Sequence, residues 1–430
     1  MFKKEISAVL VSAASLIISL SACSVIGTYP AASECNGNYI LKNGQKLLGN
    51  SNYPAISYSG HRKTARTVEN TPSIEETKED MLILSAMGIR LLRTYNAREF
   101  PHAERTLQAI RELKKSDPDF EMFVMLGAWI QCKNAYKEGT DHSVEDADWN
   151  QKEIETTIRL AVEYPDIVKI IAVGNEAMVT WQAHFVPAST ILKWVKILKK
   201  ARTTGRIPAN TLITTSDNWA ALGGEAQYRS KELAELMRQM DYVSLHTYAF
   251  HDTFYNPALP WAPLPDEVDL PAAEQAARSV KRAIALQNAQ VQAVKNYLKE
   301  IGVDKEIHTG ETGWASLDNS HYGDEGTCAA YEYTAKLFYD AVRKWTRENN
   351  MTCFYFEAFD EPWKSKGTEG SEGHFGLFTV DGKAKYALWD RVDAGVFTGL
   401  ERGGNPITKT HGGDQTVLLQ KLKTPAHKKN

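Results

Sequence analysis

The chain has 430 residues, of which 43% are hydrophobic and 24% are charged, as is ordinary for a soluble globular protein. Its formal net charge of −3 excludes the strongly basic balance of proteins that bind nucleic acid, so we expect no nucleic-acid partner. Aromatic residues make up 10% of the chain, which suits a carbohydrate or an apolar ligand better than a charged one.

The N-terminus has the pattern of an export signal. A positively charged start, MFKK, precedes an apolar run at residues 6–20 that is too short to span a membrane comfortably. The run ends in LSAC, which resembles a bacterial lipobox. We therefore predict a lipoprotein signal peptide over residues 1–22 and a lipid anchor at Cys23, with an ordinary signal peptide as the alternative. Ser24 follows, which favours anchoring at the outer membrane in a Gram-negative cell; otherwise the protein is secreted.

Both ends of the remaining chain are expected to lie outside the folded domain. Residues 23–50 are rich in Gly, Ser and Asn and are predicted to form a tether. Residues 399–430 lack a sustained periodicity and are predicted to be a poorly ordered C-terminal extension. A single domain over residues 51–398 remains, and we expect the protein to be a monomer.

Cysteine and histidine spacing gives no sign of a metal site. No C-x-x-C or H-E-x-x-H pattern occurs, so we expect no metal ion and no cofactor. Export would place the cysteines in an oxidising compartment, where one or two disulfides can form in three alternative full pairings. The four cysteines concerned are Cys35, Cys132, Cys328 and Cys353.

Between residues 50 and 400, short apolar runs alternate with segments at helical spacing. This alternation predicts a parallel sheet, and eight such units over roughly 350 residues predict a (β/α)8 barrel. A doubly wound open sheet is the competing architecture, but no Gly-rich phosphate loop follows the first strand. The predicted strands are 54–60, 89–96, 121–130, 167–176, 211–219, 241–248, 306–314 and 351–361.

The helical segments between these runs include 74–88, for which Ser73 is a suitable N-cap. Two connections are longer than average, at residues 131–150 and 249–272. In a barrel, both would rise at the C-terminal face of the sheet, where such barrels place their sites.

Polar residues gather at the ends of the predicted strands. The fourth strand ends in Gly174, Asn175 and Glu176, and the seventh runs into Glu311 and Trp314. In a barrel, these strand ends meet at one mouth. Glycoside hydrolysis requires two carboxyl groups across a cleft. One keeps a proton that it donates to the leaving oxygen, and the other is ionised so that it can attack the anomeric carbon. The alternative for a single Glu at a strand end is an ordinary salt bridge.

VGNE (173–176) and GETGW (310–314), in that order on the fourth and seventh strands, resemble glycoside hydrolase family 17. Its members are β-1,3-glucanases and β-1,3-glucan transglycosylases built on a (β/α)8 barrel. The likeness extends to SYSG (57–60), RTYN (93–96) and FEAFDEPWK (356–364), so it covers about residues 50–390 in order.

The resemblance implies a retaining enzyme that cleaves β-1,3-glucan such as laminarin, endo-acting, through a covalent glycosyl intermediate. Glu176 would be the general acid/base and Glu311 the nucleophile. Asn175 would bind the sugar hydroxyl beside the reacting carbon, and Lys364, paired with Glu361, would keep Glu311 ionised. Further side chains expected at the substrate or around the nucleophile are Tyr58, Arg93, Tyr95, His246, Tyr248, Trp129, Trp314 and Trp363.

Three alternatives stay open. The eighth-strand stretch looks more like microbial members, some of which are transglycosylases, so a sugar rather than water could resolve the intermediate. A non-catalytic glucan-binding lipoprotein would share the surface location, although both Glu residues are intact. Other retaining barrels that act on mannan or β-1,4-glucan carry carboxylates at the same two strands.

Overall fold

The computed structural model describes residues 37–249, 263–317, 329–365 and 370–423. Eight parallel strands in chain order close into a barrel, because the first strand pairs with both the second and the eighth. The predicted (β/α)8 fold and all eight predicted strand positions are confirmed. The barrel strands are Ala55–Ser57, Leu91–Arg93, Phe123–Ala128, Val168–Asn175, Leu212–Asn218, Val243–His246, Ile307–Gly313 and Cys353–Phe356.

Helices surround the barrel and bury their apolar faces against it. The first begins at the predicted N-cap: Ser73 accepts the amide of Glu76, and the Glu76 side chain accepts the amide of Ser73, a reciprocal capping box. None of the helices in the described ranges is long and apolar enough to cross a membrane. The helices are Ile74–Ala86, His102–Ser116, Ala147–Glu163, Ala188–Thr203, Lys231–Gln239, Ala272–Glu300, Glu332–Glu348, Trp389–Asp393 and Gln415–Gln420.

The predicted tether is wrong for residues 37–50, which plug the bottom of the barrel. Tyr39, Leu41, Leu47 and Leu48 are buried in one cluster with side chains from the barrel interior, such as Met125. These apolar side chains lie among Gly and Asn residues, so the overall composition of the segment wrongly indicated a flexible tether. Their burial removes apolar surface from water and so stabilises the segment against the barrel. Residues 23–36, including Cys23 and Cys35, lie outside the described residues, as does the predicted signal peptide.

The C-terminal extension also differs from the expectation over its described part. Residues 399–423 contain a two-stranded hairpin, Glu401–Arg402 with Asn405–Pro406, and the helix Gln415–Gln420. Arg402 is buried and its Nε lies 2.8 Å from Oδ1 of Asp80, on the first barrel helix. A buried carboxylate needs charged partners, and here Arg402, from the far end of the chain, joins Arg62 at Asp80.

The structure describes the first of the two long connections, part of the second, and two of the four cysteines discussed above. The long connection at 131–150 forms an antiparallel hairpin, Cys132–Lys133 with Asp141–Glu145. The second long connection lies largely outside the described residues, which omit 250–262. Cys132 and Cys353 are buried free thiols, whereas Cys35 and Cys328 fall outside the described ranges.

Candidate active site

Glu176 sits on a tight turn just past the fourth barrel strand. Its φ of 45° is in the left-handed region, which a residue with a side chain adopts only when the surroundings enforce it. The enforcing contacts come from the neighbouring fifth strand. The Glu176 amide donates to the Ser216 carbonyl at 3.1 Å, and the Met178 amide donates to the Asp217 carboxylate at 2.9 Å. Glu176 is therefore held at the barrel mouth by backbone geometry.

His246, at the end of the sixth strand, joins the two candidate carboxylates. Its Nδ1 lies 3.1 Å from Oε1 of Glu176 and 3.7 Å from Oε2 of Glu311. Its Nε2 lies 2.7 Å from the hydroxyl of Ser216, and the ring is fully buried, so its orientation is fixed. The predicted convergence of strand ends on one mouth therefore holds for Glu176, His246 and Glu311.

Glu311 lies in a pocket built to hold a carboxylate anion. Arg93 forms an ion pair with its Oε1 and donates to the Gly310 carbonyl at 2.9 Å, and the Tyr248 hydroxyl donates to Oε2 at 2.7 Å. Burial acts to raise the pKa of Glu311, but the attraction of His246 and Arg93 and the hydrogen bond from Tyr248 outweigh it. The pKa of Glu311 is therefore lowered, which is the state a nucleophilic carboxylate requires.

Arg93 connects this pocket to Asn175. Its second guanidinium nitrogen donates to Oδ1 of Asn175 at 2.6 Å, and its guanidinium carbon lies 4.8 Å from the ring centre of Tyr95. Because Oδ1 is occupied in this way, the amide group of Asn175 can offer its N–H groups to a ligand. The prediction placed Arg93 near the nucleophile, and its fully buried position makes it part of the site's framework.

Gln182 is a site residue that the sequence did not reveal. Its side-chain amide donates to Oε2 of Glu176 at 3.1 Å, so Glu176 has one oxygen on His246 and the other on Gln182. Gln182 follows Glu176 by six residues, in a loop whose sequence has no periodicity. Only the folded loop brings its side chain back to Glu176. Asp217 was also missed. Its carboxylate binds the backbone amide of Met178, beside the end of the neighbouring strand, and such a contact leaves no pattern in the sequence.

The segment that follows the eighth strand supplies a separate charged cluster. Lys364 lies 2.6 Å from Glu357 and 2.7 Å from Glu361, and all three side chains are largely buried. The predicted pairing of Lys364 with Glu361 is thus observed, with Glu357 as an additional partner. The expected support of Glu311 by Lys364 is replaced: the cation paired with Glu311 is Arg93.

The two carboxyls of this cluster differ in their affinity for protons. Burial acts to raise the pKa of Glu361, but the Lys364 charge and the hydrogen bond from Ser59 bring it down to about 2. Burial, followed by the repulsion of Glu361, raises the pKa of Glu357 well above its ordinary value. The cluster therefore carries a fixed ion pair and a proton-holding carboxyl beneath the barrel mouth.

Two of the predicted substrate contacts are wrong for this arrangement. Trp314 is 1% exposed, lies against Phe338 and donates its indole N–H to the Ala329 carbonyl at 3.0 Å. Tyr58 is equally buried and donates to Asp80 at 3.0 Å. The pattern correctly placed both near the barrel top. It could not show that their side chains turn into the wall, since strand-end residues have no fixed face.

Trp129 and Trp363 are only partly buried and remain available at the mouth. Trp129 lies against His184, with ring centres 4.4 Å apart. The Trp363 indole donates to Glu361 at 3.2 Å, and Arg66 lies 4.1 Å from its ring centre. Glu361 itself is completely buried, so it positions its neighbours and does not face a ligand.

The ionisable groups described here do not form a metal centre. Over the described ranges, no group of three or more His, Cys, Asp or Glu side chains is placed to hold a metal ion. What the arrangement offers is an ionised carboxylate beside Arg93, and a second carboxylate within reach of the same imidazole. That pair can attack a carbon centre and exchange a proton with the departing group.

Comparison with known proteins agrees with a pair of carboxylates that acts on a glycosidic bond, because the similar proteins are glycoside hydrolases. The family model of the BtgE/BtgC glycoside hydrolase domain matches residues 55–376. The crystal structure of an endo-laminarinase from Formosa Hel1_33_131 is 52% identical, covers 89% of this chain and 98% of its own, and superimposes with a TM-score of 0.86. A "Glucan 1,3-beta-glucosidase" of Arthroderma benhamiae is 26% identical over 319 residues, which are 72% of this chain and 82% of that protein.

More distant structures share the fold alone. The glycoside hydrolase family 17 β-1,3-glucanosyltransferase from Rhizomucor miehei is 16% identical, with a TM-score of 0.51 over 78% of this chain and 96% of its own. A β-1,3-glucanase of Cryptomeria japonica pollen is 15% identical, with a TM-score of 0.52 over 76% of this chain and 96% of its own.

Proposed function

The chain belongs to the BtgE/BtgC glycoside hydrolase domain family, and on that premise we propose that it is a retaining endo-β-1,3-glucanase acting on laminarin-type glucan. The observation that carries the proposal is the pair Glu176 and Glu311, both near Nδ1 of His246, with Glu311 held ionised by Arg93. The likeness to an endo-laminarinase, at 52% identity over nearly all of that chain, supports β-1,3-glucan as the substrate.

In the proposed reaction, Glu311 attacks the anomeric carbon while Glu176 donates a proton to the departing glycosidic oxygen. The bond from the anomeric carbon to Glu311 forms as the bond to the leaving sugar breaks. Glu176, now ionised, removes a proton from water, which displaces Glu311 and restores both groups. Asn175, oriented by Arg93, hydrogen-bonds the hydroxyl next to the reacting carbon.

Transfer to a second sugar is the competing outcome, because it uses the same intermediate with another acceptor. Product analysis on laminari-oligosaccharides, beside Glu311→Gln, separates the cases. Shorter products alone, lost in the variant, support hydrolysis. Products longer than the substrate identify a transglycosylase, and binding without turnover identifies a glucan-binding protein. Cleavage of β-1,4-glucan or mannan instead would overturn the assigned linkage.

We also propose that the mature protein is a monomer anchored to the cell envelope through a lipid on Cys23, at the outer membrane of a Gram-negative cell. The support is the LSAC sequence at the end of the apolar leader. Labelling with a radioactive fatty acid in cells should mark the wild type and leave Cys23→Ala unlabelled. Equal labelling, or equal release of both forms into the medium, would refute the anchor.

A further inference from the structure

An aromatic row leads from the candidate active site onto the hairpin of residues 132–145. The row begins at Trp129, passes to His184 at a ring-centre distance of 4.4 Å and continues to Tyr136 at 5.7 Å. His184 is buried, and its Nε2 lies 2.9 Å from the carbonyl oxygen of Asn175. The outer ring, Tyr136, is therefore linked to the mouth through a chain of direct contacts.

The outer end of this row combines three unusual features. Tyr136 is 62% exposed, although it is a large aromatic residue. Its backbone has a φ of 64°, in the left-handed region that a bulky residue rarely adopts. Its ring lies nearly parallel to His184, at an interplanar angle of 25°, and its hydroxyl lies 2.6 Å from Nδ1 of His184.

An exposed aromatic residue alone would need no explanation. Here, however, the ring is held in one orientation by a buried partner, while much of its surface stays open to solvent. A residue that served only to fix the hairpin would gain more by burying its ring. A strained, pre-oriented and open ring is instead what a stacking platform requires, because its conformational entropy is already lost before the ligand arrives.

We propose that Tyr136 forms an outer binding subsite for a glucose ring of the glucan chain, beyond the two sugars joined by the bond that is cleaved. A sugar presents an axial C–H face that stacks on an aromatic ring. The inference rests on the proposed function and adds a substrate property to it: the enzyme prefers long chains to short ones, because only a long chain reaches Tyr136.

The experiment compares laminariheptaose with laminaritriose as substrates of the wild type, Tyr136→Ala and Tyr136→Trp. Tyr333→Ala is the matched control, since Tyr333 is a partly exposed tyrosine stacked on Tyr386 at the surface of a different helix. We expect Tyr136→Ala to raise KM for the heptaose about fivefold, with kcat and all values for the triose unchanged. Tyr136→Trp keeps a platform and should stay close to the wild type.

Binding of the heptaose to Glu176→Gln, with and without Tyr136→Ala, gives a readout that does not depend on turnover and should show the same fivefold loss. Equal heptaose constants for Tyr136→Ala, Tyr333→Ala and the wild type would overturn the subsite. A fall in kcat for both substrates would also overturn it, because Tyr136 would then act through His184 and Asn175. A wild type that cleaves neither oligosaccharide would instead contradict the proposed function.

Discussion

Glu176 and Glu311 approach the same nitrogen atom, Nδ1 of His246, at 3.1 Å and 3.7 Å. Two oxygen atoms this close to a common atom are at most about 7 Å apart, a range that includes the roughly 5–5.5 Å of retaining glycosidases and excludes most of the inverting range. The shared imidazole thus limits the spacing of the two carboxylates, and this limit favours retention of configuration.

The first prediction concerns the two carboxylates separately. Glu311→Gln removes the nucleophile and should lower kcat by on the order of 10⁴-fold or more. Glu176→Ala should lower kcat on laminarin by about 10²–10⁴-fold, because it removes proton transfer.

Added azide should restore turnover of an activated aryl glycoside by Glu176→Ala alone, since azide attacks the glycosyl intermediate without a base. NMR of the products should show a glycosyl azide of retained configuration; rescue of Glu311→Gln instead would reverse the two roles.

Arg93 should set the acidic limit of activity. Arg93→Met removes the cation paired with Glu311, so the pKa of Glu311 should rise. The acidic limb of the kcat/KM profile should move to higher pH by the same amount, because a protonated Glu311 cannot attack. Arg93→Lys keeps the charge and should shift the limb less, while losing activity through the disturbed Asn175.

The control for this profile is Arg202→Met. Arg202 is also a buried arginine paired with a carboxylate, that of Asp241, and Asp241 in turn accepts the Ile213 amide at the start of the fifth strand. Its loss should reduce stability without moving the acidic limb. An unchanged limb in Arg93→Met would mean that Arg93 does not determine the charge on Glu311.

Lys364 should be important for stability. Lys364→Met leaves Glu357 and Glu361 buried without their cation, and removing one partner of a buried pair costs about 3–5 kcal/mol. Denaturant unfolding measures this loss. The matched control, Lys152→Met, breaks the exposed pair with Asp148 and should cost less than about 1 kcal/mol. Restoration of stability by adding Glu361→Gln to Lys364→Met would identify the uncompensated charge as the cause; equal losses for both lysine variants would contradict it.

Glu153 should make stability depend on pH. Its Oε1 accepts the amides of Ala97 and Trp129, whereas its buried Oε2 has no partner among the described residues. Burial raises the pKa of Glu153 from 4.5 to about 7. Between these values the folded state holds a proton that the unfolded state has lost. The contribution of Glu153 to the free energy of unfolding is therefore highest below pH 4.5. It falls by about 1.4 kcal/mol per pH unit between pH 4.5 and pH 7, and above pH 7 the stabilisation is lost.

Glu153→Gln keeps the accepting oxygen and removes the ionisation, so its stability relative to the wild type should increase from pH 5 to pH 7 and then level off. Glu155→Gln changes an exposed residue of the same helix and serves as the control. Free energies of unfolding at pH 5, 6, 7 and 8 decide the matter. Parallel curves for the wild type and Glu153→Gln would show that Glu153 stays ionised in the folded protein.

The sequence by itself determined the barrel and the two carboxylates. Strand and helix periodicities are local, so eight alternating units could be read directly, and parallel strands bring their C-terminal ends to one face. The positions of Glu176 and Glu311 followed from that topology. Glu153 also left a local signal, as a carboxylate on the apolar face of an amphipathic helix.

The sequence resemblance named Arg93, His246 and Tyr248 as neighbours of the site, but the tertiary structure alone decided which atom of each contacts which carboxylate. Arg93 and Glu311 meet across 218 positions, and Arg402 reaches Asp80 across 322. No local pattern encodes such pairs, because many charged residues fit each partner and only the folded backbone selects one. The same holds for the side-chain directions of Trp314 and Tyr58 and for the plug of residues 37–50. In each case the free energy comes from burying a group against distant parts of the chain, and that gain exists only once the barrel has closed.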